Sequence, residues 1–354
     1  MTRLALVMIV RDEAPSIARA LRSARPHVDR MIVLDTGSTD GTQALATAEG
    51  AEVSSYDWTQ DFAAARNASL ALSDAAWNLV LDADEWIEGG TDCLGPTTLP
   101  PSGGDFMGEI RRDNHLDQPG SEGAAVTWIP RILPRGVRYE GRIHEQPVGV
   151  SRGLRLPLRL GHDGFTTANL ARKGDRNEAL LMLELQVAPD DPYLWFQLAK
   201  EHQVRDRAAQ AALCFAEALR LAPADVPYRH ALVVRALTAL KAAGRLADAL
   251  QLADAEVGAW PESPDFWFAL GDLYLECATQ EPDRALADYL PIVQSAWKRC
   301  LEIGERPQLD GTVAGRGSHM AAHNLAVFYE ALGQTEPAAR YHALAAQLRA
   351  GPTA

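Results

Sequence analysis

The chain has 354 residues, 47% of them hydrophobic and 23% charged, an ordinary globular composition with room for two domains. Its formal net charge of −13, with no run of lysines and arginines to offset it, argues against a nucleic-acid binder, because a phosphate backbone would be repelled. The first apolar stretch, Leu4–Val10, runs straight into Arg11-Asp12-Glu13 and is too short for a signal peptide, and no segment approaches the length of a membrane span, so a cytoplasmic location is expected.

Leu4–Val10 is almost wholly apolar and reads as a buried strand, and Pro15 to Arg25 has the apolar spacing of an amphipathic helix. Met31-Ile32-Val33-Leu34 reads as a second strand, ending at Asp35-Thr36-Gly37-Ser38-Thr39-Asp40-Gly41-Thr42. Together they make a βαβ unit. A third strand, Trp77 to Leu81, runs into Asp82-Ala83-Asp84. Ligands of an open parallel sheet bind outside the carboxyl ends of its strands, so Asp12, Asp35 and Asp82 are expected to face one crevice. Two carboxylates one residue apart at a strand end also offer a hard oxygen site, suited to a divalent cation carrying a diphosphate. Gly89 to Gly123 is rich in Gly, Pro, Asp and Ser and reads as irregular connection, with one strand at Asp105 to Ile110. Cys93, Cys214, Cys277 and Cys300 lack metal-ligand spacing and read as buried reduced thiols.

From about residue 189 the pattern becomes helical. Trp195, Leu198, Ala199 and His202, then Ala211, Phe215, Ala218 and Pro223, follow the tetratricopeptide spacing. Trp267, Leu270, Gly271 and Tyr274 repeat its opening, as do Leu325, Ala326 and Tyr329 with Gly333 and Ala338; Leu232, Val233 and Ala236 mark a weaker copy that ends at Pro261. This gives about four repeats, the third interrupted. Trp195, Trp260, Trp267 and Trp297 read as repeat core, and Gln197 and His230 as polar residues of the concave face that stacked repeats create. Gly315-Arg316-Gly317-Ser318-His319-Met320 has the look of a tag remnant, but helical pattern continues behind it and it reads as native loop.

The chain resembles the family 2 glycosyltransferases of the GT-A fold, and among them a bacterial subgroup with C-terminal tetratricopeptide repeats. Five segments carry the resemblance: Met8 to Glu13, Asp35 to Thr42, Trp58 with Asp61 to Asn67, Leu81 to Glu85, and Tyr139-Glu140-Gly141-Arg142-Ile143-His144-Glu145. It implies a mostly parallel, Rossmann-like GT-A domain over 1–165, a connecting helix over 166–188 with Arg172, Lys173, Arg176 and Asn177, and a helical repeat array over 189–350. It further implies metal-dependent, inverting transfer from a nucleoside diphosphate sugar, a UDP-hexose such as UDP-glucose, UDP-GlcNAc or UDP-galactose, with Mn2+ or Mg2+. The acceptor expected is a peptide or protein side chain held by the repeats, including the thiols of ribosomally made antimicrobial peptides (bacteriocins). Surface-polysaccharide or lipid-linked saccharide assembly is the alternative within the class.

The resemblance assigns Asp84 to the metal, with Asp82 nearer the ribose or an outer-shell water and His162 preferred for metal or diphosphate. Val10, Arg11, Asp12, Glu13, Asp35, Gly37, Ser38, Asp40, Arg66, Asp82, Ala83 and Arg176 are expected around the nucleotide, with carboxylates accepting from base and ribose and Arg66 forking onto phosphate. Glu145 is the chosen general base, ahead of Glu140, and His144 is expected near sugar and acceptor. A nucleotidyltransferase would carry a glycine-rich basic loop where this chain has Arg11-Asp12-Glu13-Ala14-Pro15. A non-catalytic repeat scaffold is the reading from another class, against which Asp82, Asp84 and Arg66 are all present. A homodimer through the repeats is also expected.

Overall fold

The computed structural model describes residues 2–115, 125–163 and 176–350. The chain divides into two compact units, the first running to Glu184 and the second from Leu185, apart from the start of β7, which groups with the second.

In the first unit an eight-stranded sheet has the order β3-β2-β1-β4-β7-β6-β10-β5. β1 (Leu4–Val10) is buried along nearly its whole length, as its unbroken apolar sequence requires of a strand covered on both faces. β2 (Arg30–Asp35) and β4 (Trp77–Val80) flank it, both parallel, and β3 (Glu52–Ser55) extends the sheet beyond β2, again in parallel. The crossover α1 (Ile17–Ala24) buries Ile17, Ala20, Leu21 and Ala24, one stripe at helical spacing. Because β2 and β4 lie on opposite sides of β1, the connections part at the carboxyl ends of these strands, which opens the crevice of a doubly wound sheet.

The other half of the sheet is mixed. β7 (Ala125–Pro134) pairs antiparallel with β4, so that Leu79 lies opposite Ile132. β6 (Phe106–Asn114) is longer than the expected strand at Asp105 to Ile110, and its last residues, Asp113 and Asn114, are buried. It runs parallel to β10 (Arg152–His162), which pairs antiparallel with β5 (Glu85–Gly89) and sets His162 opposite Glu85. β8 (Arg138–Glu140) and β9 (Gln146–Val148) form a small hairpin whose loop carries His144 and Glu145. α2 (Thr42–Ala48) and α3 (Phe62–Ala71) complete the unit together with most of α4 (Arg176–Val187). Arg172, Lys173 and the glycine-phenylalanine pair at 164–165 lie outside the described residues.

The second unit is helical: α5 (Pro192–Gln203), α6 (Ala208–Leu221), α7 (Arg229–Ala242), α8 (Leu246–Glu256), α9 (Pro264–Gln280), α10 (Leu290–Ile303), α11 (His319–Ala331) and α12 (Thr335–Ala350). Consecutive helices pack as pairs, and Glu281–Tyr289 interrupts the third pair between α9 and α10. α5 and α9 begin by the same local construction. Asp191 and Ser263 cap them through side-chain oxygens, Pro192 and Pro264 take the first helical position, and the indoles of Trp195 and Trp267 donate back to the carbonyls of Pro189 and Pro261. Trp297 is the tryptophan fully inside the repeat core; Trp195, Trp260 and Trp267 are half-buried. Gln197 and His230 are also buried, which corrects their reading as concave-face residues: His230 is hydrogen-bonded through its two ring nitrogens to the Asp310 carbonyl and the Ser263 hydroxyl. The segment Gly315 to Met320 is built into this unit. Glu305 accepts from the Gly315 amide and the Ser318 hydroxyl, and a Cβ on Gly317 would meet the Gly304 backbone at 2.4 Å. All four cysteines are buried thiols.

Candidate active site

The residues after β1 and β2 form two interlocked loops. Asp12 holds a left-handed backbone at φ 53°, its amide donates to Ser38 Oγ at 2.9 Å, and its Oδ1 accepts from the Thr39 amide at 2.8 Å. Asp40 joins the same loops from the other side, accepting from the Ala14 amide and from Thr42, while the Thr42 hydroxyl accepts from the Glu13 amide. Asp12, Glu13 and Asp40 therefore fix loop shape, and Arg11 is exposed beside them. The Val10 carbonyl accepts from the Thr36 amide and hydroxyl, which closes β1 onto β2.

Asp35 is fully buried at the end of β2. Its Oδ1 accepts from the amides of Gly37 and Ser38 and from the Gln43 side chain, each at 2.9 Å, an arrangement that Gly37 permits by adopting φ 108°. Burial pushes the carboxyl up, but the hydrogen bonds from Ser38, Gln43 and Gly37 outweigh it and hold the group below the usual carboxylate range. Oδ2 is buried and has no hydrogen-bond partner among the described residues. A buried carboxylate oxygen in that condition is an acceptor awaiting a donor.

Asp82 and Asp84 part company beyond β4. The Asp82 carboxylate is one-third exposed and has an arginine on each oxygen: Arg66 Nη2 at 2.5 Å from Oδ1 and Arg131 Nη2 at 2.6 Å from Oδ2. Burial raises its pKa, yet the charges of Arg131 and Arg66 prevail and hold it well below the usual range. Asp84 faces the end of β10, where its Oδ2 lies 3.5 Å from His162 Nε2. The other nitrogen of His162 lies 2.8 Å from Asn114 Oδ1, the amide being oriented with its Nδ2 toward Thr127. With Nδ1–H donating to Asn114, the Nε2 lone pair is directed to the carboxylate side. Ala83 between the two aspartates is buried in the core.

This geometry alters three expectations. Asp82 leaves the cation set, because a divalent ion on its oxygens would sit beside two guanidinium groups. Arg66 is buried and gives Nη2 to Asp82 and, at 2.7 Å, Nε to Glu145, so it braces the site and has only Nη1, which has no hydrogen-bond partner among the described residues, to offer a phosphate. Glu145 is the other end of that brace, so a general-base role would require its Oε1 to be released from the Arg66 guanidinium or its other oxygen to be used. His144 occupies a left-handed backbone at φ 52° in the same loop. The Arg176 guanidinium lies over the Phe62 ring at 5.2 Å and so reaches the start of α3, the helix that carries Arg66.

Among the described residues, no three His, Cys, Asp or Glu side chains gather as a ready cation site. Asp84 and His162 nonetheless fit a divalent ion, as one oxygen ligand from the turn before β5 and one nitrogen ligand from the end of β10, with the histidine oriented from behind by an amide oxygen. Mg2+ and its kin are commonly held by one or two protein ligands, with water and substrate phosphates filling the shell. Sequence reasoning missed Arg131, Glu85 and Asn114. The signal for Arg131 was an arginine inside the otherwise apolar run of β7.

Residues 5–93 match the family described as glycosyl transferase family 2. The first unit carries a family 2 glycosyltransferase domain. A TPR repeat-containing protein of Synechococcus elongatus is 53% identical over 85 residues, 24% of this chain and 21% of that protein. The SPbeta prophage-derived glycosyltransferase SunS of Bacillus subtilis is 23% identical over 228 residues, 58% of this chain and 50% of that one. Among solved structures, MamA from Desulfovibrio magneticus RS-1 is similar over 53% of this chain and 93% of its own, at 15% identity and a TM-score of 0.40. The chain spans half or less of the length of these curated relatives. The glycosyltransferase domain with its mostly parallel sheet is followed by an array of paired helices whose sequence has tetratricopeptide spacing, and no helix among the described residues is long and apolar enough to cross a membrane.

Proposed function

We propose that the chain transfers a hexose from a UDP-sugar to a peptide or protein side chain, with inversion at the anomeric carbon. The observation that carries this reading is the division of labour at the carboxyl ends of β2, β4 and β10: a buried acceptor oxygen on Asp35, a braced carboxylate on Asp82, and the Asp84–His162 pair. Asp35 Oδ2 accepts from the uracil or ribose, and the exposed edge of Asp82 accepts from ribose hydroxyls. Asp84 and His162 would hold Mn2+ or Mg2+, which when bound would supply positive charge against the diphosphate leaving group. The acceptor then attacks in line from the face opposite the leaving nucleotide. A thiol acceptor, already partly ionised near neutrality, needs little help from a base, which accords with Glu145 being engaged by Arg66.

The peptide acceptor is proposed for the helical unit, since stacked tetratricopeptide pairs form an extended binding surface. A cytoplasmic setting belongs to the same reading. The test is Asp84→Asn, with UDP binding followed by calorimetry and donor turnover by mass spectrometry over a panel of UDP-hexoses. Transfer is expected to fall below detection, with UDP affinity in Mn2+ reduced and the thermal transition within a few degrees of wild type. Wild-type turnover by this variant, or by the parent protein in EDTA, rejects the cation assignment, and failure of UDP to bind the parent protein rejects the whole reading.

A further inference from the structure

In the helical unit the first helices of successive pairs meet along one face. α7 is buried from His230 to Leu240 at every position but Arg235 and Thr238, and Lys241 follows at the same three-residue step. That spacing puts the three side chains in one stripe on an otherwise enclosed helix. Arg235 Nη1 donates to Gln203 Oε1 at the end of α5, at 2.7 Å, and Lys241 Nζ lies 3.9 Å from Asp272 Oδ2 on α9. The stripe therefore faces both neighbouring first helices and floors the surface between them.

Part of this face already holds irregular chain. The segment 304–318, between α10 and α11, crosses the starts of α7 and α9: His230 donates to the Asp310 carbonyl, and Asp265 Oδ1 accepts from the Val313 amide at 2.9 Å and from Arg316 at 3.1 Å. Gly311, at φ 74°, approaches so closely that a Cβ there would lie 2.6 Å from that of Ala231. The face thus receives a non-helical strand and pairs a charge on it, Arg316, with a buried carboxylate of α9.

Arg235 has no such counterpart. It makes no ion pair among the described residues, and its one hydrogen bond goes to a neutral amide, which leaves Nε and Nη2 without partners. Burial lowers its pKa; Asp310 opposes that fall and Arg316 adds to it, the condition of a cation short of negative charge. Two parallel N–H groups of a guanidinium match the two oxygens of one carboxylate.

We propose that Arg235 anchors an acidic side chain of an extended peptide laid across α5, α7 and α9, with the stripe of Arg235, Thr238 and Lys241 as its docking floor. A peptide is the occupant because the adjoining part of the same face already binds chain through a charge. That this peptide is the acceptor rests on the transfer reading above; the docking site does not.

The experiment selects a random-sequence peptide library, displayed on phage, against the full chain without UDP or metal. Recovered peptides are remade and titrated by calorimetry into the parent, Arg235→Met and Arg235→Lys. They are expected to share an aspartate or glutamate whose change to the amide weakens binding at least tenfold. Arg235→Met is expected to weaken the unaltered peptides by as much, and on that variant the acid-to-amide change then costs nothing further; Arg235→Lys recovers part of the affinity. The melting temperature of Arg235→Met is expected within a few degrees of the parent's, since only a neutral amide loses its partner. Should the variant fail to fold, Arg235→Gln is read by the same criteria. A selection that shares no acidic residue, or acidic peptides that bind Arg235→Met as tightly as the parent, overturns the proposal. So does inorganic phosphate that binds the parent, but not Arg235→Met, as tightly as the peptides do, because the site would then serve a free anion. A parent that selects acidic peptides through Arg235 yet binds no UDP rejects the transfer reading and leaves the docking site standing; one that binds UDP and selects no such peptide does the reverse.

Discussion

Asn114→Leu isolates the orientation of His162 from its presence. The site is buried and leucine keeps the branched heavy-atom outline of asparagine with bulkier methyl ends, so the perturbation removes the Oδ1 acceptor lying 2.8 Å from His162 Nδ1 and creates no cavity. The ring then has two courses. It keeps its proton on Nδ1, where an unsatisfied buried donor costs about 1–3 kcal/mol, or it moves the proton to Nε2 and presents a donor to Asp84 in place of a lone pair. Both courses weaken the Asp84–His162 pair as ligands. Loss of such an outer partner typically lowers metal affinity about 10–100-fold, which corresponds to about 1.4–2.7 kcal/mol. The assay is calorimetric titration of Mn2+ into protein with saturating UDP, run beside a thermal melt. Asn114→Asp, which keeps an acceptor at the same place, is expected to bind Mn2+ at least as tightly as the parent. Parent-like Mn2+ affinity in Asn114→Leu, with the melt unchanged, refutes the claim that Asn114 orients His162 for a cation.

Two further outcomes follow from the geometry. Asp82 has a folded pKa well below its unfolded value of about 3.9, so its ion pairs stabilise fully above about pH 5 and that stabilisation is lost as pH falls through the folded value. Asp82→Asn is expected to be about 3–5 kcal/mol less stable at pH 7, because Arg66 and Arg131 stay buried with less compensation, and to lose less stability than the parent between pH 5 and 3; denaturant melts with parallel acid slopes would contradict this. In the helical unit a Cβ on Gly271 would lie 2.5 Å from the Trp297 indole nitrogen, so Gly271→Ala is expected to cost about 1–3 kcal/mol by overpacking while UDP affinity is unchanged, and a melting temperature equal to the parent's would show that α9 and α10 pack otherwise.

The elements that read clearly in the sequence are those whose burial is set by local pattern. Leu4–Val10 has no polar residue to turn toward solvent, so it must be a central strand, and the carboxylates after it and after Leu34 fall at the crevice by strand direction alone. Likewise the Trp, Pro and small residues of the array mark helix starts and pair contacts within one repeat. Gln197 and His230 were misjudged because their exposure depends on what packs over them: the partners of His230, Ser263 and Asp310, lie far along the chain. Asn114 was illegible for the same reason, since it meets His162 only because β6 and β10 pair in parallel.

The separate fates of Asp82 and Asp84 show why a motif read as a unit misleads about its parts. Two residues apart on a continuing strand, they would point to one face and share one environment. β4 instead ends at Val80, and the chain turns, with the Glu85 amide donating to the Asp82 carbonyl at 3.0 Å. Asp82 thereby stays on the side of α3 and β7, where Arg66 and Arg131 wait, while the Asp84 carbonyl takes the amide of Asp163 at 3.3 Å and its side chain is carried to the end of β10. The turn closes because Glu85 returns its carboxylate to the Asp82 amide, so the third acidic residue of the run, which sequence reasoning passed over, is what holds the first in place and lets the second reach His162. Glu85→Gln tests that dependence without altering either aspartate: it keeps an acceptor for the Asp82 amide but removes the charge under Arg131, and is expected to impair Mn2+ binding at Asp84 less than it disturbs UDP affinity. Equal losses of both would mean that the turn, and not the ion pair of Glu85 with Arg131 at 2.6 Å, is what Glu85 supplies.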